Sequence, residues 1–168
     1  RFDNVTGVQT CALPILVKID NEARMKQLGE AIGRSVSGGE VLELVGDIGA
    51  GKTTLTKGIA RALGINEPVQ SPTFTISRLY DSPKGLRLAH YDFYRLGEAG
   101  IMGDEIREAM DDDSVVVVEW AGAVDDDLPK DRLVVKITTI SEEERLVEFH
   151  PGGKKSTELW QKIKENLA

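Results

Sequence analysis

Val41-Leu42-Glu43-Leu44-Val45-Gly46-Asp47-Ile48-Gly49-Ala50-Gly51-Lys52-Thr53-Thr54 runs from a short apolar segment through a glycine-rich loop into a helix-forming stretch that continues to about Leu63. The loop matches G-x-x-x-x-G-K-T, a phosphate-binding pattern, in the strand–loop–helix setting the pattern requires. Each position answers a separate demand of a triphosphate. Gly46, Gly49 and Gly51 permit backbone angles that a Cβ would penalise, so successive N–H groups can turn toward one anion. Lys52 adds a point charge at the β- and γ-phosphates, and the Thr53 hydroxyl can sit on a magnesium ion. The helix that follows aims its positive end at the same place. Gly46, Asp47, Ile48, Gly49, Ala50, Gly51, Lys52, Thr53 and Thr54 are therefore expected to cradle a nucleotide, with Lys52 serving catalysis as well.

Outward from this loop the elements alternate. Met25, Leu28, Ala31, Ile32 and Val36 recur at helical spacing, which predicts a helix over Asn21–Ser37 with Asp20 as N-cap and Gly38-Gly39 as the stop. Strands are predicted at Val41–Val45, Thr73–Tyr80 and Leu86–Tyr91, the last two joined by the turn-rich Asp81–Gly85. A helical pattern over Leu96–Met110 is interrupted by three glycines. Val115–Val118 is a continuous β-branched run, as a strand buried on both faces of a parallel sheet requires. Leu133–Ile140 and Arg145–His150 read as an antiparallel pair around an acidic turn, and Ser156–Leu167 as a closing helix. The fold class is α/β: a P-loop NTPase-like three-layer sandwich with a mixed, mainly parallel central sheet.

The chain has 168 residues, 40% hydrophobic and 29% charged, enough for one sheet-centred domain. No apolar run approaches a membrane span. The net charge of −7 disfavours sequence-independent binding to DNA or RNA, which needs clustered Lys and Arg, so any RNA connection should run through a protein partner. Gly7–Ile15 resembles the translation of a sequencing-adapter oligonucleotide. Residues 1–15 are accordingly expected to be foreign, leaving 16–168 as a single P-loop ATPase domain. Setting them aside removes Cys11, the one cysteine, so a reducing cytoplasmic location is permitted and expected.

A P-loop needs a second acid to organise its metal, usually at the end of a hydrophobic strand. Glu119 follows Val115–Val118 directly and is the candidate partner of Thr53 for magnesium. Trp120 is expected to fill core space, with covering the site as the other option. In His90-Tyr91-Asp92-Phe93-Tyr94-Arg95, Asp92 falls where a strand should end. There it could orient or deprotonate an attacking water, or cap a loop. His90 is expected to be a packed or hydrogen-bonded residue, not a base, and Arg95 to neutralise phosphate charge, dock a partner or form a surface ion pair. Ser71-Pro72-Thr73 reads either as a segment that senses the γ-phosphate or as an ordinary turn. The acidic groups near 104, 111 and 125 lack the spacing of a calcium loop.

Gly46–Thr54, Ser71-Pro72-Thr73-Phe74, His90–Leu96 and Val117-Val118-Glu119-Trp120, in this order and spacing, closely resemble the bacterial TsaE family. The resemblance covers about Asn21 to Phe149. It implies an ATP-hydrolysing subunit, dependent on Mg2+, that works with a TsaB–TsaD pair in making N6-threonylcarbamoyladenosine in tRNA, reaching tRNA only through that pair. By the same resemblance Thr53 and Glu119 would hold magnesium, Asp92 would be needed for hydrolysis, and Ser71–Thr73 would be switch-like. One departure is Met25, which stands where the family often has a Thr close to the adenine.

Two other readings of the residues stand beside it. A small-molecule kinase would share the P-loop but usually carries an arginine-rich lid, which is not found in the sequence. A regulatory module would bind nucleotide without significant turnover. The sequence also contains no N-K-x-D loop of the kind that selects guanine.

Overall fold

The computed structural model describes residues 5–6, 15–96 and 102–168. The described residues form strands β1 (Val5–Thr6), β2 (Ile15–Ile19), β3 (Val41–Val45), β4 (Ser77–Asp81), β5 (Arg87–Asp92), β6 (Ser114–Glu119), β7 (Leu133–Thr139) and β8 (Arg145–Pro151). With them are helices α1 (Glu22–Ser35), α2 (Lys52–Ala62), α3 (Met102–Ala109) and α4 (Lys154–Leu167), and a 3₁₀ helix at Ala121–Asp127. The strands make one sheet in the order β1-β2-β8-β7-β3-β6-β5-β4. Its four middle strands, β7, β3, β6 and β5, run parallel. Antiparallel β8 and β2 extend one side and antiparallel β4 the other. This is the mixed α/β sandwich expected, with its parallel part at the centre.

Alternation along β6 explains the three layers. Val115 and Val117 point into the core beneath α1, α2 and α4, whereas Val116 and Val118 point into a second core beneath α3 and the 3₁₀ helix. All six residues of the strand are buried, as the β-branched run demanded. On the first face α1 lies backbone-to-backbone on α2. A Cβ at Gly29 would come 2.1 Å from the Leu55 carbonyl oxygen, and one at Gly58 2.1 Å from that of Lys26. Only glycine permits this approach, so it fixes the helix that leads out of the phosphate-binding loop.

Several expectations are corrected. Asn21, not Asp20, is the N-cap of α1: its backbone is extended (φ −162°) and its side-chain oxygen accepts from the Arg24 N–H at 2.9 Å. Thr73–Thr75 is a turn, and β4 begins only at Ser77, because Ile76 takes a left-handed conformation (φ 70°) and donates its N–H back to the Pro72 carbonyl. Strand β2 was not foreseen. It begins at Ile15, which is buried and pairs with Phe149 although it falls inside the stretch expected to be foreign. Residues 1–4, 7–14 and 97–101, which include Cys11 and the first turn of the predicted Leu96–Met110 helix, lie outside the described residues.

Helix α4 starts two residues before the predicted Ser156. Its first turn is held by Asp131, whose carboxylate accepts from the Lys155 N–H (2.8 Å), the Ser156 N–H (2.9 Å) and the Ser156 hydroxyl (2.6 Å). Partial desolvation pushes the Asp131 pKa up, but these hydrogen bonds and the Lys155 charge outweigh it and hold the carboxyl below its ordinary value. Among the described residues no helix is long and apolar enough to cross a membrane.

Candidate functional site

The C-terminal ends of β3, β5 and β6 meet at one end of the sheet, and in register Asp92 pairs with Glu119. Ligands of open parallel sheets bind at such ends. From β3 the chain turns through Gly46–Gly51 into α2. Gly51 adopts φ 114°, a left-handed conformation that L side chains rarely take, and a Cβ there would also press on the Met25 methyl at 3.2 Å. The next residues, Lys52, Thr53 and Thr54, form the first helical turn, whose N–H groups have no carbonyl partner within the helix. An anion is the natural acceptor for them.

Lys52 is only 6% exposed. Its Nζ donates to the Gly46 carbonyl, stands 3.9 Å from a Glu119 oxygen and lies 4.4 Å from the centroid of the Trp120 ring. Desolvation lowers the Lys52 pKa, opposed by the negative charges of Glu119, Asp92 and Asp47. Such a lysine gains from a new anionic partner, which a phosphate would be. Glu119 is buried and is held from behind by His90, whose Nε2 lies 2.5 Å from Glu119 Oε2. His90 is itself fully buried, the packed and hydrogen-bonded placement expected of it.

Asp92, 3% exposed, has both carboxylate oxygens engaged. Oδ1 accepts the Tyr94 N–H at 2.9 Å. Oδ2 accepts the Thr73 hydroxyl at 2.8 Å and, more weakly, the Ser71 hydroxyl at 3.5 Å. The Ser71–Thr73 turn is thus attached to the strand end that carries Asp92, and the Ile76 carbonyl accepts the Asp92 N–H at 2.8 Å.

These groups surround a cavity of about 420 Å³ whose lining includes Lys52, Thr53, Ser71, Thr73, Asp92 and Glu119. Ile48, Gly49, Gly51 and Thr54 of the loop and helix start also line it, as do Tyr94, Arg95 and Trp120. Gly46 and Asp47 do not line it: Gly46 lies behind, where a Cβ would come 2.8 Å from the Ile137 carbonyl oxygen, and the Asp47 carbonyl closes the turn by accepting the Ala50 N–H. Ala50 lines a second cavity of about 380 Å³ on the other side of the loop, with Met25, Asn21, Glu142 and Arg145. Gly49, Gly51 and Thr54 face both.

Trp120 does not fill the core. It is 38% exposed, in a left-handed conformation (φ 54°), and its ring covers Lys52 while packing 4.9 Å from Tyr94. The Arg95 guanidinium stacks 4.4 Å over Phe74, and among the described residues it forms no surface ion pair. Sequence inspection also missed Arg145, which reaches the loop from a distant hairpin. Only its own five N–H donors hint at such a role.

The donor set fits a magnesium-bound triphosphate. It offers a lysine, a helix N-terminus, the Thr53 hydroxyl and the buried Glu119 carboxylate, and magnesium typically takes its other ligands from phosphates and water. Among the described residues no group of three or more His, Cys, Asp or Glu forms an all-protein metal cage. Asp92 lines the same cavity as Lys52, where a carboxylate could receive a proton from water once its present donors release it.

The model of the family described as "Threonylcarbamoyl adenosine biosynthesis protein TsaE" matches residues 19–147. The tRNA threonylcarbamoyladenosine biosynthesis protein TsaE of Bacillus subtilis is 37% identical over 144 residues, covering 85% of this chain and 89% of that protein. The Streptomyces coelicolor protein of the same name is 41% identical over 115 residues, 67% of this chain and 78% of its own. A crystal structure of Bacillus subtilis YdiB superposes with a TM-score of 0.78 at 32% identity, covering 93% of this chain and 97% of that one.

Proposed function

The chain belongs to the TsaE family of tRNA threonylcarbamoyladenosine biosynthesis proteins, and from that premise we propose that it is a magnesium-dependent ATPase acting with a TsaB–TsaD-like complex. It contacts tRNA indirectly, through that complex, in the cytoplasm, and residues 16–168 constitute its single ATPase domain. The observation that carries the reading is the convergence of Lys52, Thr53, Asp92 and Glu119 on one cavity at the ends of three parallel strands.

In this reading Gly46–Thr54 wraps the phosphates, Lys52 turns from the Gly46 carbonyl toward the β- and γ-oxygens, and Thr53 and Glu119 hold magnesium. Bound there, the metal would neutralise charge on the transferring phosphoryl group. Asp92 orients the attacking water and accepts its proton. Its oxygens are occupied by Ser71, Thr73 and Tyr94, so the isolated chain is expected to hydrolyse ATP slowly until a partner rearranges the 71–73 turn.

Phosphate release by the chain reconstituted with TsaB and TsaD tests this. Asp92→Ala should still bind ATP while turnover falls by about 10²–10⁴-fold, whereas Lys52→Ala should lose nucleotide binding itself. Parental turnover by Asp92→Ala in the assembled complex would remove Asp92 from the mechanism. ATP binding without significant phosphate release by the parental chain in the assembled complex would instead point to a regulatory module that binds nucleotide and does not turn it over.

A further inference from the structure

We propose that Arg145 is a positioning residue that pre-organises the phosphate-binding loop from behind. The inference rests on the reading of Gly46–Thr54 as a triphosphate site and adds the group that shapes it.

Arg145 opens β8, 95 residues beyond Ala50. Its Nε donates to the Ala50 carbonyl at 3.0 Å and its Nη2 to the Gly49 carbonyl at 3.4 Å. Nη1 donates to the carbonyls of Ser141 (2.9 Å), Glu142 (3.2 Å) and Glu144 (3.0 Å). Every one of these acceptors is backbone. Three glutamates precede Arg145 directly, yet among the described residues it forms no ion pair, and Glu144 pairs with Lys18 at 3.2 Å instead. The guanidinium is therefore committed to tying the β7–β8 turn to the loop.

The consequence follows from the rigidity of the peptide unit. Fixing a carbonyl oxygen on one side fixes the N–H of the same plane on the other. The Ala50 carbonyl shares its peptide with the Gly51 N–H, so the 3.0 Å bond sets the direction in which that donor points. Glycine on either side of Ala50 leaves the loop many alternatives, and ordering them only when a ligand arrives would weaken binding. Lysine could not substitute, because a point charge lacks the planar fork that spans two loop carbonyls and the turn at once. Arg145 also lines the second cavity, so a direct nucleoside contact is the competing role that the test must separate.

Titration calorimetry of the full chain with magnesium ATP and, separately, magnesium tripolyphosphate makes that separation, with folding of each variant checked by circular dichroism at the same temperature. Arg145→Met and Arg145→Lys should each weaken both ligands by about tenfold, the scale of losing an outer support of a binding site. Hydrogen exchange at the Gly51 amide should rise in parallel in the unliganded protein. Unchanged affinities would overturn the proposal. A loss seen with ATP but not with tripolyphosphate would make Arg145 a nucleoside contact, and full recovery by Arg145→Lys would reduce it to a charge effect; either result also overturns it. Lys52→Ala runs alongside. If it binds both ligands as the parent does, the triphosphate reading itself fails, and the role of Arg145 fails with it.

Discussion

The two sides of the cavity are built differently. On the loop side, the Gly29–Gly58 contact presses α1 onto α2, Gly46 backs onto the Ile137 carbonyl, and Arg145 ties the loop to a hairpin. On the far side, Phe74 is 81% exposed, Tyr94 48%, and the two non-glycine residues with positive φ among the described residues, Ile76 and Trp120, flank the segments that carry Thr73 and follow Glu119. A β-branched residue in that region is strained and persists only where its surroundings insist. The proposed phosphate site thus lies on the part of the molecule that is backed by close backbone packing. The groups assigned to hydrolysis sit on segments that a second protein could reshape at small cost.

The contrast can be broken, and the largest effect should come from its tight side. Gly58→Ala would drive a methyl into helix backbone and should cost about 3 kcal/mol in denaturant unfolding, the upper end for overpacking. A cost near zero would mean the helices separate easily and the loop is not rigidly backed. An intermediate effect is expected well away from both sides. Asp131→Ala should cost about 1 kcal/mol by uncapping α4, with ATP affinity untouched. It calibrates how far stability alone affects binding. Because the folded-state pKa of Asp131 is depressed, its contribution is present above the unfolded value of about 3.9 and is lost as pH falls through the lower folded value. The difference between parent and variant should therefore shrink in acid and stay level near neutrality. The smallest effect belongs to the open side: Phe74→Ala should change stability by less than about 0.5 kcal/mol. A larger loss would show that the 71–76 segment is packed after all.

What could be read from the sequence divides along the same line. Lys52, Thr53 and the loop glycines are local: their spacing alone states the backbone they need and the ligand they suit. Glu119 and Asp92 were legible as polar residues ending apolar strands, and the parallel pairing of β5 with β6 sets them side by side. Arg145 was not legible, since nothing near it in the chain marks its acceptors as carbonyls 95 residues away. The turn at Thr73–Thr75 was read as strand because its residue types favour strands. It is the left-handed Ile76 that breaks the ladder, and no β-branched residue advertises that angle. Strand β2 was hidden for a different reason: the expected foreign stretch ended at Ile15, inside the strand, and the four residues left beyond it, Leu16–Ile19, are too short a run to announce a strand.

The position of β3 has a consequence for how the molecule is made. Both of its hydrogen-bonded neighbours, β6 and β7, lie far later in the chain. A nascent chain that has released only its first hundred residues therefore holds the complete phosphate-binding motif on a strand with two open edges. The motif becomes a site only when residues as distant as Ile137 arrive to close behind Gly46. Folding must wait for these long-range pairings, which are intrinsically slow to form, and for that interval the unpaired β3 is the segment most in need of protection from other strands.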